Sequence, residues 1–356
     1  MRIPATWLLL PCVLAGAAAP TPAGDRDDSA GGHLPKIKLR GFSDVNFVAG
    51  DDSDPDATSG FKQGQFVLHL VSELSERFDF FAEVSMTARD SEYSAEVERS
   101  IIKFTYNDYL KISAGRFHTP VNWWNNAFHH GQWLQTTIDR PQMTRFGGEF
   151  IPVHFIGAIV EGNIPSGAAH LGYVAGAGNG RGDNTARGGD AGDLNNNRAT
   201  LLKIFARPTR PYRLEVGGSY YLDKVSTGGL ENFDEELGGA YVVWSGEKPE
   251  VIGEYSRLER AGQVSGDEFE SSAWYLQAGY RLPCVDERLK LYARYEAIDA
   301  DEADPVFVTL TDVRGYLAGL RADVALFVAL KAEYRHQKLD TLPYDDAYFA
   351  QISFAF

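Results

Sequence analysis

The chain has 356 residues, with 34 Lys and Arg against 49 Asp and Glu, and its formal net charge is −15 at pH 7. A nucleic-acid partner requires a basic surface, so this charge argues against nucleic-acid binding. The 21 Phe, 17 Tyr and 36 Gly residues fit a transmembrane β-barrel. In such barrels aromatic residues form girdles, and the strands alternate lipid-facing with water-facing side chains.

The N-terminus has the pattern of a secretory signal. Arg2 precedes a short apolar run over residues 7–15, and small residues follow at 16–19. That run is too short to span a bilayer as a helix, and no later segment reaches about 18 continuous apolar residues. We predict a cleaved signal peptide over 1–23 and a flexible lead-in over 24–35, which is small, charged and rich in glycine.

From residue 36 onwards, segments of about ten residues alternate apolar and polar side chains, the period of a spanning strand. Charged residues recur on the second face of these segments; examples are Lys290, Arg294, Lys331, Glu333 and Arg335. A soluble sandwich would need that face dry, whereas a barrel lumen is wet. No repeating unit indicates a propeller or solenoid. We predict an all-β fold, a transmembrane antiparallel β-barrel of about 16 strands over residues 36–356.

The last segment carries the same pattern to its end. One face holds Tyr348, Ala350, Ile352, Phe354 and Phe356, and the other holds small or polar residues except for Phe349. Such a strand, ending on an aromatic residue, resembles the closing strand of bacterial outer-membrane β-barrels. The resemblance implies a place in the bacterial outer membrane, in contact with its lipid and lipopolysaccharide.

The connections alternate between short turns and long loops, which is typical of outer-membrane barrels. The third long connection, residues 117–148, is rich in Trp, Phe and His. Loops of this length are usually functional or disordered, and this composition opposes disorder. We therefore predict that the third loop folds toward the lumen and narrows it.

The approach to this loop carries a motif. Gly115-Arg116-Phe117-His118-Thr119-Pro120 resembles a Gly-[Gln/Arg]-Phe-x-x-Pro segment of the phosphate- and polyphosphate-selective (O/P) porin family, and Ile138-Asp139-Arg140-Pro141 adds support. The resemblance implies a homotrimeric sixteen-stranded porin that passes anions. The Trp123-Trp124 and His129-His130 pairs depart from the pore loop of that family.

Other chemistry is weakly indicated. His118, His129, His130 and His154 offer imidazole ligands, but no ligand spacing recurs, so the sequence predicts no metal site and no cofactor. No Gly-x-Ser-x-Gly elbow is present, and we predict that the chain is not an enzyme. The tryptophans of the loop are interpreted as packing anchors.

Basic residues are the candidates for selectivity. Guanidinium groups suit oxyanions, so Arg116, Arg140 and Arg145 are predicted at a constriction formed with His118, Trp123, Trp124, His129 and His130. Basic residues in the lumen favour anions, unless cross-lumen ion pairs cancel their field; the predicted set is Arg40, Lys103, Arg294, Arg321, Lys331 and Arg335. The outer loops are predicted to be acidic, the fifth through Glu231, Asp234, Glu235 and Glu236.

These observations predict a porin for passive diffusion of small hydrophilic solutes, with a preference for phosphate-like anions. Two alternatives stay open. One is an outer-membrane barrel enzyme with an active site at the rim, and the other is a structural or adhesion barrel plugged by its third loop.

Overall fold

The structure is a computed structural model that describes residues 35–49, 59–88, 92–128, 130–145, 149–182, 184–185, 187–193, 195–226, 231–340 and 342–356. The predicted signal peptide and nearly all of the predicted lead-in lie outside the described residues, and so does His129.

Sixteen strands are found in the described part of the chain. They are β1 Lys36–Ala49, β2 Gly60–Glu73, β3 Phe78–Ala88, β4 Tyr93–Asn107, β5 Leu110–His118, β6 His154–Ile164, β7 Leu171–Asn179, β8 Ala199–Ala206, β9 Leu214–Ser226, β10 Asn232–Trp244, β11 Glu250–Gly262, β12 Glu268–Arg281, β13 Leu289–Asp299, β14 Val313–Ala325, β15 Val328–Leu339 and β16 Asp345–Ala355. A short helix, α1 Trp124–Ala127, and single 3-10 turns at Gln142–Thr144, Gly167–Ala169 and Val285–Glu287 lie between them.

Each strand pairs antiparallel with its neighbours in sequence, and β1 closes the ring on β16. The closing register runs from Phe42 opposite Ala355 to Ala49 opposite Tyr348. The predicted all-β antiparallel barrel of about 16 strands is confirmed. A closed barrel satisfies the backbone hydrogen bonds of every strand and leaves no sheet edge exposed.

Side chains alternate across the wall as the sequence pattern predicts. On the outer face Leu276 and Leu291 keep 50% and 49% of their surface exposed, although both are apolar, while the inward Tyr275 and Lys331 are buried. Exposed apolar side chains on strand after strand form an outer surface that suits hydrocarbon rather than water.

The closing strand shows this alternation in detail. The ring of Phe356 stacks on Phe66 with centroids 5.7 Å apart and covers Gly41, where a Cβ would lie only 2.3 Å from that ring. Phe349, the bulky exception on the other face, lies beneath the Arg335 guanidinium at 3.9 Å. A cation–π contact therefore gives the aromatic ring a place inside a polar lumen.

One register break places an acidic side chain inside the barrel. Between β3 and β4, Glu83 pairs with Arg99 and Val84 with Val97, so Glu98 is an extra residue in β4. Such a bulge redirects a side chain, and Glu98 is 2% exposed on the inner side.

The predicted acidic fifth loop is wrong in part. Asp234, Glu235 and Glu236 belong to β10, and Glu235 is fully buried on the inner face. The period-two pattern continues through them, and the buried position of Glu235 is made possible by two arginines described below.

Among the described residues, no helix is long and apolar enough to cross a membrane.

Candidate pore and third-loop site

The described residues of the third loop, 119–128, 130–145 and 149–153, include several that bind side chains of the inner wall. At its start Asn122 has a left-handed backbone with φ 54°. Its backbone N–H donates to Ser219 Oγ at 3.0 Å, and its carboxamide donates to Ser256 Oγ at 2.8 Å. Lys203 Nζ donates to the Asn122 carbonyl. Residues of β8, β9 and β11 thus hold one strained turn of the loop.

A carboxylate caps the short helix that follows. Glu254 of β11 accepts hydrogen bonds from the backbone N–H groups of Trp123 and Trp124, at 2.9 and 2.6 Å. Negative charge at a helix N-terminus is favourable because the first N–H groups lack helical partners. Trp124 is fully buried and meets Phe128 and Tyr275 edge to face, with centroids 5.1 and 5.9 Å away.

The second half of the loop is held by cations of β13, β14 and β15. Arg294 donates to the carbonyls of Asp139 and Arg140, at 3.0 and 3.1 Å. Arg321 donates to the carbonyls of Trp133 and Gln135, both at 2.8 Å. Backbone carbonyls that would otherwise be buried without donors are satisfied in this way.

The next strand continues the pattern. Lys331 donates to the carbonyls of Gln132 and Thr137, at 2.5 and 2.8 Å. Arg335 forms an ion pair with Asp139 at 2.8 Å. Four of the six predicted lumen-facing basic residues, namely Arg294, Arg321, Lys331 and Arg335, are therefore on the inner face but bind the third loop.

The other two predicted lumen cations differ from these. Arg40 lies opposite His69 in the β1–β2 register, which places it on the inner face. Its side chain is exposed near the N-terminal end of β1. Lys103 lies on the inner face of β4 and forms an ion pair with Glu161 at 2.7 Å.

The arginines predicted at a constriction occupy three different environments. Arg116 is buried, 2.9 Å from Asp190, and donates to the Glu98 carbonyl at 2.6 Å. Arg140 is buried and donates to the Thr144 carbonyl at 2.7 Å, whereas Arg145 is exposed. Burial lowers the pKa of the Arg140 guanidinium to about 9, against the opposing effect of the Glu98 carboxylate, so Arg140 stays charged at neutral pH.

A cavity of about 470 Å³ lies between the start of the third loop and the wall from β4 to β9. Of the predicted constriction residues, His118 and Trp123 line it. Lys203 and Glu215, which strand phase places on the inner face, also line it, and the residues that sequence reasoning missed here are Arg99, Arg207 and Glu161. The period-two alternation of the strands places these side chains on the inner face. It does not indicate which inward side chains a loop covers and which line a cavity.

Three of the candidate histidines come together next to this cavity. His118, at the end of β5, lies between His130 of the third loop and His154 of β6, with ring centroids 5.9 and 5.7 Å apart. Glu83 and Glu98 complete the group, which we call the histidine–glutamate cluster. The sequence predicted no metal site because these residues have no regular spacing; the barrel register brings them together.

A buried ion network joins the fourth and seventh loops to β10 and β11. Arg181, in the fourth loop (180–198), pairs with Glu235 at 2.9 Å, and Arg260 of β11 pairs with the same carboxylate at 2.7 Å. Arg260 also pairs with Asp304 of the seventh loop (300–312) at 2.5 Å. Burial lowers the pKa of Arg181, but Glu235, Tyr221 and Asp223 together outweigh that effect and the net pKa is raised.

Solved structures of known proteins share this architecture. No family model matches the chain, and no curated protein matches it. Solved structures do match. The anion-selective porin from Comamonas acidovorans superimposes with a TM-score of 0.65 at 12% identity, over 91% of this chain and 100% of its own. The chain has the porin fold.

Further structures agree with this porin fold. The outer membrane channel DcaP of Acinetobacter baumannii gives a TM-score of 0.62 at 14% identity, over 90% of this chain and 97% of its own. The trimer form of OmpT, an outer membrane protein of Vibrio cholerae, gives 0.60 at 12% identity, over 90% and 99%. At such identities the likeness concerns the fold, and fold alone does not fix function. The narrower resemblance to O/P porins stays a prediction.

Proposed function

We propose that this porin-fold chain is a bacterial outer-membrane porin, which lets small hydrophilic solutes diffuse passively and prefers anions. The observation that carries the proposal is the charge of the cavity between the third loop and the β4–β9 wall. Its lining holds four cations, Arg99, Lys103, Lys203 and Arg207, against two carboxylates, Glu161 and Glu215. Arg99 is also paired with the buried Glu83, so the cations exceed these three carboxylates by one. Basic residues around a passage favour anions.

The geometry concentrates this preference on one side of the lumen. Arg207 and Lys103 keep 59% and 39% of their side-chain surface exposed, each beside a carboxylate at 2.8 or 2.7 Å. Of the cations of β13 to β15, Arg294, Arg321 and Lys331 bind carbonyls of the third loop and Arg335 binds the Asp139 carboxylate, so they contribute little to the attraction of a mobile anion. A solute would therefore pass along β4 to β9 and meet Trp123, Phe117 and Phe205 as the apolar boundary of the cavity.

Surroundings and assembly belong to the same proposal. The apolar outer face would contact membrane lipid. The end of the barrel that carries the long loops would face lipopolysaccharide. A homotrimer is proposed because the trimer form of OmpT shares the fold and because the third-loop motif resembles that of O/P porins.

The direct test is planar-bilayer conductance of the purified protein, with reversal potentials measured in a salt gradient. We expect discrete channels and a reversal potential of the sign that indicates anion preference. The double variant Lys103→Gln/Arg207→Gln removes two positive charges from the cavity lining, so its reversal potential should move toward zero. The control Arg257→Gln removes a charge from the outer face, where the side chain is 49% exposed, and should leave the reversal potential unchanged.

Two results would contradict this proposal. Cation preference of the parent channel would remove the argument from the cavity charge. An unchanged reversal potential in the double variant would show that ions do not pass along β4 to β9.

A plugged barrel is the second candidate, because the third loop and the buried Arg181–Glu235–Arg260 network fill much of the lumen. A barrel of this kind would serve structure or adhesion. It predicts no channels in the bilayer experiment, so the same measurement separates the two functions. The absence of enzymatic activity stays a prediction.

A further inference from the structure

One cation of the cavity between the third loop and the β4–β9 wall has no carboxylate to balance it. The other three cations of the lining are each paired with a carboxylate, at 2.5, 2.7 and 2.8 Å; the pairs are Arg99–Glu83, Lys103–Glu161 and Arg207–Glu215. The fourth, Lys203, has no carboxylate oxygen within 4.0 Å of its Nζ among the residues that the structure describes. The single excess positive charge of the cavity therefore belongs to Lys203.

Lys203 is buried, and its ammonium group has hydrogen-bond donors that the described chain does not use. The residue is 6% exposed. One N–H donates to the Asn122 carbonyl, and Nζ lies 4.8 Å from the centroid of the Tyr241 ring. An ammonium group has three donors, and Lys203 donates to no other acceptor in the described part of the chain. Because a buried charge without a counter-charge is costly, an anion beside Lys203 would be stabilised by charge and by hydrogen bonds.

The walls around this charge are largely apolar. They include Ile101, Phe117, Trp123, Ile159, Val174 and Phe205. Phe205 follows Lys203 by two residues on the same face of β8, and Trp123 follows Asn122, the residue whose carbonyl Lys203 binds. The volume of about 470 Å³ is typical of a pocket for a small molecule. A ligand at Lys203 would therefore meet aromatic side chains directly beside the charge.

We propose that this cavity is a binding site for a small organic monocarboxylate with an apolar body, such as an aryl-substituted carboxylate. The carboxylate would accept hydrogen bonds from Lys203, and the apolar body would contact Phe205 and Trp123. This inference rests on the proposed function, because the same cavity is the proposed route of the solute, and it names the class of solute that the route selects.

The same features disfavour an inorganic oxyanion such as phosphate. A hydrated oxyanion loses water against apolar walls and gains nothing from them. The guanidinium groups that suit oxyanions, those of Arg99 and Arg207, are each paired with a carboxylate. One excess positive charge also balances a monoanion better than a dianion. Charge and an apolar body are thus both required of the ligand.

The test measures binding to the purified, detergent-solubilised chain, which does not depend on channel formation. Isothermal titration calorimetry with 3-phenylpropionate, corrected by a titration into protein-free detergent, should give one saturable site per chain. The affinity should be modest, because a solute that passes a channel must also leave it. Acetate lacks the apolar body, 3-phenylpropanamide lacks the charge, and inorganic phosphate lacks the apolar body. Each should bind about tenfold more weakly or worse.

Two variants separate the charge from the apolar wall. Lys203→Met keeps an unbranched apolar side chain but removes the charge, so it should weaken 3-phenylpropionate binding by about tenfold or more. Phe205→Ala should weaken 3-phenylpropionate binding and leave acetate binding unchanged. The control Lys338→Met removes a lysine from the outer face of β15 and should bind like the parent. Circular dichroism checks that each variant is folded.

Several outcomes would overturn the inference. Phosphate or acetate binding as tight as that of 3-phenylpropionate would remove the apolar body, and equal binding of the amide would remove the charge. Unchanged 3-phenylpropionate binding in a folded Lys203→Met variant would place the ligand elsewhere. Absence of saturable binding by a chain that forms anion-selective channels would overturn this inference and leave the porin function standing. Binding that depends on Lys203, in a chain that forms no channels, would support the site and contradict passive diffusion.

Discussion

Glu254 is the residue that caps the start of α1 in the third loop. One of its oxygens accepts the backbone N–H groups of both Trp123 and Trp124, and the residue is 3% exposed. A buried carboxylate with two donors is favourable, whereas two buried N–H groups without an acceptor are costly. The start of α1 therefore depends on a side chain of β11 that is 130 residues away from Trp124 in sequence.

Replacing this carboxylate should loosen the loop without unfolding the barrel. In Glu254→Ala the two backbone N–H groups lose their acceptor, at a cost of about 1–3 kcal/mol. We expect the amides around Trp123 to exchange hydrogen about tenfold faster or more, as measured by hydrogen-exchange mass spectrometry. Glu259→Ala, on the outer face of the same strand, is the control. Unchanged exchange around Trp123 in Glu254→Ala would show that the tryptophan packing alone fixes the helix.

At the scale of elements, the third loop is an inner layer held by its surroundings. α1 has four residues, far fewer than the roughly 12–15 that an isolated helix needs to be even marginally stable in water. Its stability comes from burial of Trp124 and from the cap by Glu254. The rest of the loop follows the carbonyl contacts made by cations of β13, β14 and β15.

Removal of two of these cations should release the loop. In Arg321→Met/Lys331→Met four loop carbonyls lose their donors, those of Trp133, Gln135, Gln132 and Thr137. We expect a larger single-channel conductance because the loop would no longer be held against β14 and β15. Lys338→Met, in β15 but on the outer face, is the control.

The double variant Arg321→Met/Lys331→Met can also show that these two cations are not needed to hold the third loop. A conductance equal to that of the parent, in a folded barrel, would mean that the remaining contacts of Arg294 and Arg335 suffice to hold the loop.

At the scale of the whole molecule, the barrel encloses a buried ion network and a cavity between the third loop and β4 to β9 that shares no lining residue with this network. The fourth and seventh loops meet at the Arg181–Glu235–Arg260–Asp304 network, where the exposed fractions run from 1% to 4%. Buried charges are tolerated only when they are paired and hydrogen-bonded, and each of these four side chains is paired.

Breaking this network should destabilise the whole barrel. Arg260→Met leaves Asp304 buried without Arg260, and removing one partner of a buried ion pair costs about 3–5 kcal/mol. We expect a lower midpoint of thermal unfolding in detergent than for Arg257→Met, which removes an exposed arginine of the same strand. Equal midpoints for the two variants would show that this buried ion network does not contribute to the stability of the barrel.

Much of the fold could be predicted from the sequence, because a period of two assigns each residue of a strand to one face. The inward positions of Lys103, Arg294 and Lys331 and the outward Phe356 follow from this pattern alone. The ends of the strands were harder to predict. Asp234 and Glu236 were assigned to the fifth loop but belong to β10, because polar residues continue the period-two alternation toward the end of the strand.

The candidate site was harder to predict. Arg116 and Arg140 were expected to face a passing anion, yet both are buried among loop and wall contacts. Arg99 and Arg207, which line the cavity, were not singled out, because a face assignment does not tell whether a loop covers the residue. The grouping of His118, His130 and His154 depends on the register of β5 and β6 and on the path of the loop.

The alternation of apolar and polar residues is sufficient to predict a barrel with an apolar exterior and a charged interior, since a local period of two fixes the two faces of each strand. Which inward residues meet, and which of them a loop covers, depends on the folded barrel. Those contacts join residues far apart in the chain, such as Ile138 and Glu333, whose backbone N–H and carboxylate meet at 3.0 Å across 195 residues. No local pattern encodes such a contact, because it depends on barrel closure and on the folding of loops into the enclosed space.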